Sequence, residues 1–218
     1  TALGDLTPTQ LRGVSTAQFA GLTATALGEL KDTQIAVLGS TQIGALSATN
    51  FSALDATALG GLTATQLKGV STTQLTGLTS TALSDLSSTQ IGELATNQLA
   101  ALTTTNLGNL ATTQVSGLTA AQIGSLTNTA FAALTSTAVG TLTSTQIGGL
   151  SVNQLKALST TDFGELTDTQ IASFASTQIG ALSATNFSDL DATAIAGLDA
   201  TQLKGLNVSQ LKSLSATA

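Results

Sequence analysis

Leu6-Thr7-Pro8-Thr9-Gln10-Leu11-Arg12-Gly13 is the stretch from which the whole chain can be read, because the rest of the sequence repeats it. With its positions lettered a to h, Leu6 is a, Thr7 is b, Thr9 is d, Gln10 is e and Leu11 is f. Counting in eights from Leu6 to Leu214, all 27 a positions hold Leu except Val14, Val70 and Phe174. The 27 f positions from Leu3 to Leu211 are all Leu, Ile, Val or Phe, and no insertion breaks the register. A fixed short period marks a repeat array and overrides any domain count taken from length. The expected organisation is therefore one continuous octapeptide-repeat solenoid over residues 1–218.

The apolar spacing alternates five and three, as in Leu6, Leu11, Val14, Phe19 and Leu22. Both intervals are odd, so a continuous strand would send a and f to opposite faces. A continuous α-helix fails too, because eight residues at about 3.6 per turn let the apolar stripe drift. The chain must bend once in every octad, and the residue types say where. Position b is Ser, Thr, Asp or Asn in 22 of 27 octads, and position e is Gln in 16 of 28. That pair reads as a capping box, with a and f in the places of a hydrophobic staple. The single proline, Pro8, sits at c, the first helical position. Of 21 glycines, 20 fall at g or h, where a short helix stops. These signals predict one short capped helix per octad, roughly c through h. Helices this short are not stable alone, so each must stack on its neighbours.

A second period gives the winding. The departures from Gln at e fall at Ala2, Ala26, Asn50 with Ala58, Ala82, Asn106, Ala130 with Ala138, Asp162, Asn186 with Ala194, and Ala218. They recur about every 3.4 octads. Residues 42–70 match residues 178–206 at 24 of 29 positions, an offset of 17 octads that is five such steps. The fold class expected is an all-α repeat solenoid with about 3.4 repeats per superhelical turn. A three-sided β-solenoid is the alternative, since a turn of that length also makes a reasonable rung. Because the chain opens at a d position and stops at an e position, it reads as a segment of a longer array.

The motif in Leu142-Thr143-Ser144-Thr145-Gln146-Ile147-Gly148-Gly149 resembles octapeptide arrays of large secreted or surface adhesin-like proteins of Gram-negative bacteria. The resemblance covers the whole chain and brings no catalytic or binding residue with it. It implies an extracellular or cell-surface setting and a stalk or scaffold role. Leu6 to Leu11 also looks like the helix start of DNA-reading repeats of plant-pathogen effectors, but those units are longer and basic; shared capping chemistry explains the likeness.

Composition removes most chemistry. His, Cys, Met, Trp and Tyr are absent, and charged residues are 8% of the chain, with net charge −6. The usual zinc, copper, haem and iron–sulfur ligands are missing, as are His general bases and Cys nucleophiles. We expect no enzyme activity, no cofactor and no metal or catalytic residue. Nucleic acid is not an expected partner, given six scattered basic residues, Arg12, Lys31, Lys68, Lys156, Lys204 and Lys212. No run of 18 apolar residues suggests a transmembrane helix.

The expected function is a non-catalytic extracellular filament subunit, stalk or adhesin spacer that self-associates, attached to a cell surface through regions outside this segment. The alternative is a binding module. Ten of twelve acidic residues cluster near the non-Gln e positions, with Asp189 and Asp191, and Asp162, Glu165 and Asp168, the densest groups for calcium. Thr-x-Thr pairs such as Thr63-Ala64-Thr65 would be the face for ice or a surface glycan.

Overall fold

The computed structural model describes residues 3–214, and among these it contains only helices and turns, with no strand. The β-solenoid alternative is thereby excluded. Each octad forms one helix of four to seven residues that starts at c, as in Pro8–Gly13, Ala24–Leu27, Ser144–Gly148 and Val208–Leu214. Residue b precedes it in an extended conformation, for example Thr63 at φ −77°, ψ 160°. Its hydroxyl accepts the backbone N–H of e, at 3.3 Å for Gln66. That satisfies one of the N–H groups that every helix start leaves without an intrahelical partner.

The chain divides into two compact units, Thr1–Gly117 and Leu118–Ala218. In the first, helix Ser40–Ala45 packs on helix Ala64–Gly69, which packs in turn on Ser88–Glu93. In the second, Ala120–Ser125 packs on Ser144–Gly148, and Ala184–Ser188 on Val208–Leu214. Within each unit the helices that pack on one another are three apart along the chain. Hydrogen bonds between turns span 25 to 31 residues in the first unit and 26 to 31 in the second. Both ranges bracket the expected period of about 3.4 octads. Ala2 and Ala218, the outermost members of that second period, lie outside the described residues.

The core is the a and f set. Every a and f side chain from Leu27 to Leu190 is buried. All five f-position phenylalanines, Phe19, Phe51, Phe131, Phe163 and Phe187, fill that core, joined by Phe174 from a. Full burial of side chains this size contributes about 1.5–3 kcal/mol each, which no isolated octad could convert into a stable fold.

Glycine plays a different part from the one its placement suggested. No described residue has a positive φ, so the glycines do not close helices with a left-handed cap. Close approach accounts for the tightest of them. A Cβ on Gly69 would lie 2.2 Å from the Ser40 carbonyl oxygen of the preceding turn, and one on Gly44 would lie 2.2 Å from the Gly69 oxygen. The turns therefore meet backbone to backbone, which only glycine permits there.

Two kinds of substitution test this packing. Leu107→Asp puts an unpaired charge at a side chain that is 1% exposed, so the melting temperature should fall sharply. Gly69→Ala should cost about 1–3 kcal/mol by forcing two turns apart. Gly13→Ala, where nothing lies within 4 Å, should leave stability unchanged or raise it by up to about 1 kcal/mol. Equal melting temperatures for the two alanine variants would contradict the close-approach explanation.

Candidate functional site

The only polar side chains that the fold buries, among the described residues, are carboxamides, and all of them stand at e. Gln90 shows what they do. Its Oε1 accepts the backbone N–H of Ser87, 2.9 Å away, completing the cap of its own helix. Its Nε2 reaches into the preceding turn and donates to the carbonyls of Leu59 at 2.9 Å, Gly60 at 3.1 Å and Leu62 at 3.0 Å. Gln74 does the same with Ile43 at 2.8 Å and Leu46 at 3.0 Å. In the second unit Gln154 reaches Ile123 at 2.8 Å and Leu126 at 3.1 Å, and Gln178 reaches Leu150 at 2.9 Å.

The acceptors belong to f, in some cases g, of one octad and to a of the next, which flank a helix end. The a carbonyl has no other donor and must be paired if buried, whereas the f carbonyl also accepts the N–H of the next a residue, as Leu59 does from Leu62 at 3.2 Å, and takes the amide as a second bond. One glutamine therefore satisfies the start of its own helix and the end of another in the turn before. Where b has no hydroxyl the amide still works: Ala95 N–H donates to Gln98 Oε1 at 2.8 Å, and Gln98 Nε2 donates to Leu67 and Val70. No buried side-chain nitrogen or oxygen among the described residues lacks a partner.

Shorter e residues do less. Asn106 Nδ2 reaches only the a carbonyl of Leu78, at 2.8 Å, and Asn186 only that of Leu158, at 3.0 Å. Asp162 cannot donate at all, and its carboxylate instead accepts the Ser159 hydroxyl at 2.6 Å and the Ser136 hydroxyl at 2.8 Å. Ala58, Ala82, Ala138 and Ala194 are buried and reach nothing across the gap.

The acidic residues singled out in the sequence serve helix ends. Asp55, Asp191 and Asp199 are N-caps, with Asp191 Oδ1 accepting the Ala194 N–H at 2.8 Å. Asp168 sits in a first turn, where its charge suits the helix dipole. No group of three or more His, Cys, Asp or Glu among the described residues is placed to hold a metal ion. Asp168, Asp189 and Asp191 line one cleft of the second unit, and Asp162 is engaged with the Ser159 and Ser136 hydroxyls. Lys68 and Lys156 lie in last turns, facing solvent.

The d threonines are exposed at every described position, and no hydrogen bond among the described residues uses their hydroxyls. No helix among the described residues is long and apolar enough to cross a membrane.

Residues 91–128 match the family described as the ALTTAQ repeat. Ala101-Leu102-Thr103-Thr104, positions h through c of the octad, lies within that stretch and has the first four residues of that motif, followed by Thr105 and Asn106 where it has Ala and Gln. No curated protein matches the chain.

The bridging amide yields a prediction at Gln90. Gln90→Ala should cost about 1–3 kcal/mol, since the Gly60 and Leu62 carbonyls lose their donor and that of Leu59 keeps only its turn bond from Leu62. Gln90→Glu should be worse at neutral pH, because a carboxylate would face carbonyl oxygens. Burial against acceptors raises the folded-state pKa of that Glu above its unfolded value of about 4.3. The protonated acid can still donate, so the variant's deficit should be smallest below pH about 4.3 and grow as pH rises through the raised pKa. A deficit independent of pH would contradict donation by Nε2.

Proposed function

We propose that the chain is a non-catalytic structural repeat, a length of extracellular or cell-surface stalk, spacer or filament that associates with itself. The observation that supports this most is the use of its buried polar groups. Every one of them, among the described residues, is an e-position side chain engaged with backbone of the same chain, so the polar interior is dedicated to joining turns. Catalysis would need a titratable group held at a perturbed pKa or a nucleophile beside a base, and the charged residues here sit at solvent-facing helix ends. The family match supports a repeat array, and the resemblance to surface octapeptide arrays is what suggests the extracellular setting.

A second reading, a binding module, is favoured by the d threonines. In a helix Thr is a poorer residue than Ala by up to about 0.7 kcal/mol, so an exposed Thr with no bonding role invites another explanation. On this reading the row of hydroxyls and methyls presents a surface to ice or to a glycan.

Electron microscopy with sedimentation velocity over a micromolar concentration series tests the first reading. It predicts assemblies that grow with concentration. Monomers at every concentration would overturn self-association, and thermal hysteresis or glycan capture that is lost on Thr→Val at d would move the assignment to the second reading.

A further inference from the structure

Two clefts of the surface are copies of one another. The first, about 120 Å³, lies in the first unit and is lined by Leu27, Leu30, Asp32, Asp55 and Ala58 among others. The second, about 190 Å³, lies in the second unit, and Phe163, Leu166, Asp168, Asp191 and Ala194 hold the corresponding places. Every lining residue of one has its counterpart 17 octads away in the other.

Their origin is the e position. Ala58 and Ala194 stand where the octads that follow carry Gln, at Gln66 and Gln202, and the space above them is where a glutamine side chain would run. The carbonyls such a glutamine would reach, by the spacing of 31 and 28 residues seen at Gln74, belong to Leu27 and Leu30 in the first cleft. In the second they belong to Phe163 and Leu166. Leu27 and Phe163 accept a turn bond from Leu30 and Leu166, as Ile43 does from Leu46 while also accepting the Gln74 amide. No hydrogen bond among the described residues reaches the Leu30 or Leu166 oxygen, or uses the N–H of Asp55 or Asp191. Each cleft thus offers two acceptors and one donor, all backbone, in the arrangement that holds a primary carboxamide elsewhere in the same protein.

We propose that the clefts at Ala58 and Ala194 are binding sites for a primary carboxamide, either a free small amide or the side chain of a glutamine from a partner polypeptide. The NH2 group donates to the Leu30 and Leu27 carbonyls, or to Leu166 and Phe163. The amide oxygen accepts from the Asp55 or Asp191 N–H. The aliphatic stem packs on Leu54 and Ile35, or on Leu190 and Ile171. Each volume is several times the roughly 30 Å³ share of one liquid water, enough for an acetamide-sized group. The rim carboxylates, Asp32 and Asp55 or Asp168 and Asp191, favour a group that donates and repel the corresponding acid.

The test is two-dimensional 15N–1H NMR of the whole chain titrated with propionamide, and separately with propionate. Saturable shifts of the Asp55 and Asp191 amides are expected with propionamide, and none with propionate. Ala58→Gln should abolish the response at Asp55 while leaving that at Asp191, and Ala194→Gln should do the reverse. A tripeptide with a central glutamine, blocked as acetyl and N-methylamide, separates the sources: saturation at a lower concentration than propionamide assigns the site to a partner's side chain, and a response to propionamide alone assigns it to free amides. Absence of saturable shifts, equal shifts with propionate, or an undiminished Asp55 response in Ala58→Gln would overturn the proposal.

Discussion

The bond from the e-position amide to the carbonyls of the preceding turn is the interaction on which the rest depends. A helix of four to seven residues is nearly all ends, because about four N–H and four C=O groups at its termini lack intrahelical partners. An array of such helices would bury many orphan groups unless side chains intervene. Glutamine has an acceptor and a two-proton donor on one planar group, and a stem long enough to span the gap. At Gln90 its oxygen closes one helix start and its nitrogen closes the end of another. The same side chain caps and staples.

That reach is conditional on the turns lying close together. Gly69 and Gly44 set the spacing in the first unit by letting backbone meet backbone, and in the second Gly149 stands as near to Ala120. At this spacing glutamine reaches both f and a carbonyls, asparagine reaches only a, and alanine reaches neither. The e position therefore grades the strength of each joint. Where the sequence departs from glutamine, the joint is looser, and two of those places open into clefts.

Much of this was written in the octad. The caps at b, the helix starting at c and the buried a and f rows follow from spacing and residue type alone, since Leu6, Thr7, Pro8 and Gln10 each have one comfortable place at a helix start. The longer period was legible in the e substitutions, although their meaning was not. A capping box uses only the glutamine oxygen, so nothing local says what the nitrogen does. That partner lies 28 and 31 residues back, and only the folded winding reveals it. Glycine misled for a related reason: a left-handed cap and a close backbone contact both select Gly at the same place, and the absence of any positive φ among the described residues separates them. Asp189 and Asp191 suggested a cation; in the fold Asp191 is spent on an N-cap and Asp189 closes the helix before it, while both line one cleft with Asp168.

The most direct test of the account is the exchange rate and chemical shift of the glutamine side-chain NH2 protons, resolved by 15N NMR. Gln66, Gln74, Gln90 and Gln98 are buried with Nε2 on carbonyls of the preceding turn, whereas Gln10 and Gln18 cap their helices while exposed. Dispersed, slowly exchanging Nε2 protons are expected for the first four and solvent-like ones for the last two. Six indistinguishable, rapidly exchanging NH2 pairs would contradict this.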